Sequence, residues 1–114
     1  MASQKLKKAA TTALKDYMGL YEDELLLVLS DDNRSEIGYS LYEAGKKLCH
    51  EAFYIEMKTR EFHGQEPPDI VAEMMKMVDV VIAPTTMSLT HTRARRQASQ
   101  LGVRIGTMPG ITVD

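Results

Sequence analysis

The amino-acid sequence predicts one α/β domain of the Rossmann-like or flavodoxin-like type. It has three layers, with a four-stranded, mainly parallel sheet and helices on both faces. Short apolar runs alternate along the 114 residues with segments of helical period, which is the pattern of βαβ units. The runs at 25–29 and 80–83 are continuously apolar, as expected of strands buried on both faces. Right-handed crossovers favour this fold type. We expect the strand order 2-1-3-4, with one sheet edge left for a partner or for further chain to cover.

The first part of the chain contains two predicted helices around one strand. The first helix covers residues 3–18 and ends near Gly19. Its apolar side chains recur at helical spacing: Leu6, Ala10, Ala13, Leu14 and Tyr17. The strand at 25–29 ends in a polar cluster, where Asn33 and Glu36 form a variant of the capping box that starts the second helix. The apolar stripe of that helix follows the same period: Ile37, Leu41, Ala44 and Leu48.

The second part of the chain repeats the strand–helix alternation. A strand at 52–57 leads into a polar connection at 58–68, and Pro68 opens a third helix. We expect that helix to bury three positions: Ile70 or Val71, Met74, and Met77 or Val78. The fourth helix follows the third strand and is expected to bury Ala94, Ala98 and Leu101. Gly102 is its predicted C-cap, before a fourth strand at 103–106.

Length, charge and cysteine content exclude several classes of protein. A chain of this length supports one domain, residues 1–114. The formal net charge of −2 gives no field that would attract nucleic acid. No stretch approaches the roughly 18 consecutive apolar residues of a membrane span, and no signal peptide is recognisable. The single cysteine, Cys49, excludes a disulfide framework. We therefore expect a cytoplasmic protein that binds neither nucleic acid nor membrane.

Ligands of open α/β sheets bind beyond the carboxyl ends of the strands. That rule selects four polar or glycine-bearing segments: 30–34, 58–63, 84–91 and 107–110. A dinucleotide site is disfavoured because the first segment has no glycines and its carboxylates, Asp31 and Asp32, would repel phosphate. A phosphoacceptor receiver domain is excluded because Ala83-Pro84-Thr85 stands where the acceptor aspartate should end the third strand.

The turn between the third strand and the fourth helix is the main candidate site for a substrate or an anion, because a helix N-terminus attracts negative groups. It carries a cluster of hydroxyl side chains: Thr85, Thr86, Ser88 and Thr90. We expect His91 to point towards the strand ends, with Arg95 four residues later. Asp31, Asp32 and Arg34 complete the candidate set. The alternatives are an ordinary capped helix with a hydrogen-bonded histidine and, for the two aspartates, helix capping.

The residues themselves predict no catalytic or metal-binding constellation. Glu61, His63 and Glu66 offer three possible metal ligands on one loop, but they lack a recognised ligand spacing, and a solvated loop is the favoured interpretation. Cys49 lies near the end of a helix, far in sequence from any strand end, so it joins no nucleophilic arrangement.

Five segments of the chain carry a family resemblance: 31–38, 56–61, 63–68, 83–95 and 107–112. The most specific strings are P-T-x-x-S-L-T-H-T-x-A-R, from Pro84 to Arg95, and M-P-G-I-T, from Met108 to Thr112. These segments resemble the N-terminal part of the aminopeptidase T/S family of metallo-aminopeptidases, in its leucyl aminopeptidase, aminopeptidase T-like branch. The resemblance covers nearly the whole chain.

The resemblance implies a longer enzyme than this sequence contains. Such enzymes are two-domain chains of roughly three times this length. They bind a pair of divalent metal ions through Glu, His, Tyr and Asp ligands of the C-terminal half, so no ligand carries over to a position here. The chain is then an N-terminal domain or fragment that is inactive without its C-terminal catalytic domain.

Two other functions stay open at this point. One is a small-anion-binding or oligomerisation module, in which the chain forms a homo-oligomer. The other is the N-terminal part of a related mononuclear-iron dioxygenase that cleaves dihydroxypyridine rings.

Overall fold

The computed structural model describes residues 4–108 and contains one four-stranded, all-parallel sheet. Its strands are β1 (Leu25–Asp31), β2 (Glu51–Met57), β3 (Val80–Ala83) and β4 (Arg104–Thr107). They lie in the order β2-β1-β3-β4, so the predicted α/β class and the predicted strand order are both confirmed. β1 and β3 occupy the centre because their continuous apolar sequence suits strands that are buried on both faces.

Four α-helices cover the two faces of this sheet. They are α1 (Gln4–Thr12), α2 (Ser35–Leu48), α3 (Asp69–Met75) and α4 (Arg93–Gln100). α1 and α2 pack on one face against Leu26 and Val28 of β1, whereas α3 and α4 pack on the other against Leu27 and Leu29. Alternate residues of one strand therefore supply two separate cores, as the period of two in a strand requires. No helix among residues 4–108 is long and apolar enough to cross a membrane.

The N-terminal helix departs from its predicted course after Thr12. Residues Ala13–Tyr17 form a π-helical turn, which contains more residues per turn than an α-helix. Leu14 remains fully buried, but the side chain of Tyr17 is 82% exposed, so the prediction that Tyr17 faces the core is wrong. Gly19 then takes a φ of 62°, a left-handed conformation that favours glycine at the predicted end of the segment.

The start of α2 is also built differently from the prediction. Neither Asn33 nor Glu36 caps the helix: its N-cap residue is Arg34, whose own side chain makes no capping hydrogen bond. The predicted stripe does form, because Ile37, Leu41 and Ala44 are buried and Leu48 is half-buried.

The predicted burial of α3 is met by one alternative at each end. Val71 is buried, and Met74 and Val78 are partly buried against the same core, whereas Ile70 and Met77 are both 72% exposed. The helix also buries Met75, which was not predicted. α4 buries Ala94 and Ala98 as predicted. Leu101 lies beyond the last helical residue and is 66% exposed, because the helical period does not extend to it.

The chain turns back towards the sheet after α4. Gly102 has a φ of 93°, which fits its predicted role at the end of the helix. β4 begins one residue later than predicted, at Arg104. Most of the M-P-G-I-T string, from residue 109 onward, lies outside the described residues.

Candidate functional site

The polar segments that follow β1, β2 and β3 meet at the carboxyl edge of the sheet. Asp31 is the centre of this region and is only 1% exposed. Its Oδ1 accepts hydrogen bonds from the backbone N–H of Asn33 at 3.0 Å and from the Thr86 hydroxyl at 3.1 Å. Its Oδ2 accepts from the backbone N–H of Thr86 at 2.7 Å. The carboxylate therefore joins the end of β1 to the turn after β3, and it does not cap α2 as the alternative interpretation of this residue expected.

Asp32 makes a second bridge, from β1 towards the end of β2. This exposed carboxylate accepts hydrogen bonds from the backbone N–H of Thr59, at 3.2 Å, and from the Thr59 hydroxyl. The hydroxyl bond is the main reason why the pKa of Asp32 lies below its usual range. Both carboxylates at the end of β1 are thus held by groups of this chain.

The hydroxyl groups of the predicted site bond mainly to one another and to the backbone. Thr85 is buried and donates to the Met87 carbonyl at 2.6 Å. The Ser88 hydroxyl donates to Oγ1 of Thr90 at 3.0 Å, and Oγ1 of Thr90 lies 2.8 Å from Oγ1 of Thr107 on β4. This chain of hydroxyls fixes the turn against the last strand.

The loop at 58–68 is held against the same turn. The backbone N–H of Ser88 donates to Nδ1 of His63 at 2.9 Å, and the backbone N–H of Gly64 donates to the Ser88 carbonyl at 2.9 Å. Nδ1 of His63 acts as an acceptor, so in this arrangement the ring proton of a neutral His63 is on Nε2. Arg60 holds the loop itself, donating to the carbonyls of Lys58 and Glu66.

The N-terminus of α4 is capped by a residue that the sequence did not indicate. The carboxylate of Glu66 accepts from the backbone N–H of Arg93 at 2.6 Å and of Ala94 at 3.1 Å. Oγ1 of Thr92 accepts from the next N–H group, that of Arg95, at 3.1 Å. These are the groups that a small anion would use at a helix N-terminus. An anion binding there would have to displace Glu66, which lies 27 residues before the helix and gives no local signal.

His91 does not occupy its predicted position. It lies in the turn before the N-cap residue Thr92, and its side chain is exposed, so the expectation that it points towards the strand ends is wrong. Arg95 is half-buried instead, and donates from Nε to the Thr90 carbonyl at 2.8 Å and from Nη1 to the Ser99 hydroxyl at 3.3 Å. Arg95 therefore stabilises the turn at the start of α4.

Arg34 retains unused hydrogen-bonding capacity. Its half-buried side chain donates from Nη1 to the Asn33 carbonyl at 2.9 Å. Its Nε is buried and has no hydrogen-bond partner among the residues that the structure describes. A buried N–H without an acceptor is costly, so the half-buried side chain would gain by turning towards an acceptor that a ligand or another domain brings.

The described residues do not fit the pair of divalent ions that the family resemblance implies. Between residues 4 and 108, no three His, Cys, Asp or Glu side chains are grouped so that they could hold a metal ion. His63 and Glu66, which the sequence offered as possible ligands, instead accept hydrogen bonds from separate backbone groups. We therefore derive no chemical step through a metal ion for this chain.

No thiol lies at the carboxyl edge in the described part of the chain. Cys49, at the end of α2, is buried, and this burial raises the pKa of its thiol. The side chains at this edge are therefore joined by hydrogen bonds, and the Nε of Arg34 has no acceptor among the described residues.

Comparison of the chain with protein-family models, with curated proteins and with solved structures finds no match in any of the three.

Proposed function

We propose that this chain is the N-terminal α/β domain of a metal-dependent aminopeptidase of the T/S type. The observation that carries the proposal is the convergence of the resembling segments at one edge of the sheet. Segment 31–38 contacts segment 83–95 through Asp31 and Thr86, and segment 63–68 contacts it through both His63 and Glu66. Resembling segments that lie far apart in the sequence thus form one continuous surface. This is expected if the family uses all of them at a single site.

In the proposed enzyme, this surface forms one wall of the substrate cleft. The metal ions would be held by the second domain, where they would polarise the scissile carbonyl and supply the activated water. The residues of this chain would position the peptide. The half-buried guanidinium of Arg34 and the exposed ring of His91 are the candidate substrate contacts. Arg95 and the hydroxyl turn keep the wall in place without contacting the peptide.

The first experiment is to measure the intact mass and the oligomeric state of the natural gene product. We expect a product roughly three times as long as this chain, as a two-domain enzyme requires. That product should release leucine from a leucyl anilide when a divalent metal is added, and the isolated 114-residue chain should not. A natural product of 114 residues, or hydrolysis by the isolated chain, would overturn the proposal. The same preparation with ferrous iron and a dihydroxypyridine tests the dioxygenase alternative.

The candidate substrate contact can be tested in the longer enzyme. Arg34→Gln removes the guanidinium, and it should raise KM because the peptide loses a donor that it meets on binding. Arg96→Gln is the matched control, because Arg96 is exposed and its guanidinium bonds only to the backbone carbonyl of His91 in the described part of the chain. Equal KM values for the two variants would exclude Arg34 from substrate binding.

A further inference from the structure

The tip of the loop between β2 and α3, residues 61–65, is held to the rest of the molecule at one residue. Inside the loop tip, the N–H of Glu61 donates to Oε1 of Gln65 at 2.6 Å, and the N–H of Gln65 donates to the Phe62 carbonyl at 3.3 Å. Among the described residues, both hydrogen bonds that leave the loop tip go to Ser88. Phe62 is 60% exposed and packs against neither core. The position of the loop tip therefore depends on its polar contacts with Ser88.

The two hydrogen bonds to Ser88 run in opposite directions. The N–H of Gly64 donates to the Ser88 carbonyl, and the N–H of Ser88 donates to Nδ1 of His63, both at 2.9 Å. The first bond joins backbone groups, which do not titrate. The second needs a free lone pair on Nδ1, and a protonated imidazole has none because both of its nitrogens carry hydrogen. Only the neutral ring of His63 can complete the pair.

A proton can reach His63 directly, because its side chain is exposed. Histidine is the residue whose charge ordinarily changes between about pH 5 and pH 8. Protonation at Nδ1 would bring this new N–H against the N–H of Ser88. A hydrogen bond would thus be replaced by a contact between two donors.

The charged groups around the loop do not compensate for that loss. They lie on the loop, at the end of β1, in the turn between β3 and α4, and in the first turns of α3 and α4: Lys58, Arg60, Glu61, Glu66, Asp31, Asp32, His91, Asp69, Arg93 and Arg95. None of the carboxylates forms an ion pair with His63 in the part of the chain that the structure describes. Three of them are already bound elsewhere, Glu66 at the start of α4 and the two aspartates of β1 to threonines. A protonated His63 therefore gains no counter-ion in exchange for the bond.

We propose that His63 is a pH-sensitive latch that holds the loop tip against the carboxyl edge of the sheet. With a neutral ring, the pair with Ser88 is complete and the loop tip is fixed. As the pH falls through the range in which histidine ionises, the proton on Nδ1 breaks the bond and the loop tip is released. The contribution of the latch is thus present at the higher pH and lost at the lower. Glu66 keeps its bonds to α4, so the rest of the loop stays in place. The latch does not depend on the proposed aminopeptidase function.

Nuclear magnetic resonance of the 114-residue chain between about pH 8 and pH 5 tests the latch. The amide proton of Ser88 should move upfield along a one-proton titration curve, because its N–H loses an acceptor. The heteronuclear NOE of residues 61–65 should fall over the same range, as expected of a segment that becomes mobile. The NOE of Ala94 should not fall, because Glu66 still accepts from its N–H. A Ser88 resonance that does not titrate overturns the proposal, and so does a loop tip that stays rigid at the acid end.

His63→Asn is the decisive variant. The amide oxygen of asparagine is attached to Cγ, as Nδ1 is in histidine, so it can accept from the Ser88 N–H but does not titrate. The loop tip should then stay fixed over the whole pH range. His91→Asn is the matched control, because His91 is an exposed histidine near the same turn, and this variant should titrate as the wild type does. A Ser88 titration that persists in His63→Asn, or that disappears in His91→Asn, assigns the proton to another group and overturns the proposal.

Discussion

Asp31 is expected to be essential for the stability of the carboxyl edge. The informative perturbation is Asp31→Ala, compared with Asp32→Ala at the neighbouring position. The two residues are chemically identical and adjacent, but Asp31 is buried and accepts three hydrogen bonds, whereas Asp32 is exposed and bonds to one residue, Thr59. The comparison therefore separates the effect of the buried network from that of losing a negative charge.

The expected loss of unfolding free energy in Asp31→Ala follows from the donor groups that lose their acceptor. Hydrogen bonds to a charged group contribute about 1.5–3 kcal/mol each. The N–H and hydroxyl groups of Thr86 are part-buried and regain little from water, whereas Asn33 is exposed and can bond to water instead. We therefore expect Asp31→Ala to lower the free energy of unfolding by about 3 kcal/mol. For a domain of this size, that loss corresponds to a decrease in Tm of about 12 °C.

Urea and thermal unfolding, followed by circular dichroism, measure both variants. Asp32→Ala should change the midpoint of unfolding only slightly, because water can accept the hydrogen bonds that Thr59 donates to this exposed carboxylate. Equal small effects of the two substitutions would refute the structural role of Asp31. In that case the carboxylate of Asp31 would be available to bind a ligand.

Three further predictions concern a cap, a thiol and an ion pair. Glu66→Ala should destabilise the protein by about 1 kcal/mol because α4 loses its cap, whereas the exposed Glu61→Ala should not; equal unfolding curves would contradict the cap. The thiol of Cys49 should react slowly with Ellman's reagent in the native state and rapidly in denaturant, because burial raises its pKa; fast native reaction would contradict this. The bidentate bond to Arg104 lowers the pKa of Glu24, so the pair contributes stability above the ordinary glutamate pKa, and the contribution is lost as the pH falls through the lowered value. The difference in unfolding free energy between wild type and Glu24→Gln should thus be below about 1 kcal/mol near neutrality and shrink in acid; a difference that grows in acid would refute the sign.

The two-sided core could be predicted from sequence because it depends on local apolar runs, whereas the strand order was expected from the fold type rather than worked out from the residues. The run at 25–29 has no polar interruption, which requires helices on both faces and a central place in the sheet. The helix ends were harder to predict. A π-helical turn after Thr12 rotates Tyr17 to the surface, and periodicity alone contains no sign of it.

The candidate site was predicted as a region, but not in the roles of its residues. The strand-end rule selected Asp31, Thr86 and Ser88, and the structure brings them together. It could not reveal that Glu66 caps a helix 27 residues later, because such contacts depend on the path of a loop with no periodic pattern. It also misplaced His91, since the helix begins two residues after it, at Arg93.

The hydrogen bonds at the carboxyl edge restrict which ligands could bind there. The carboxylates of Asp31 and Glu66 are already engaged by backbone N–H groups, so a ligand that needs either of them must first break those bonds. A small anion faces the same obstacle at the start of α4. The remaining capacity lies on donors, the Nε of Arg34 above all, and a donor selects ligands that bring a carbonyl or carboxylate oxygen. A peptide backbone provides such acceptors along its whole length. A small anion also brings such oxygens, so Arg34 is the residue to test first against both kinds of ligand.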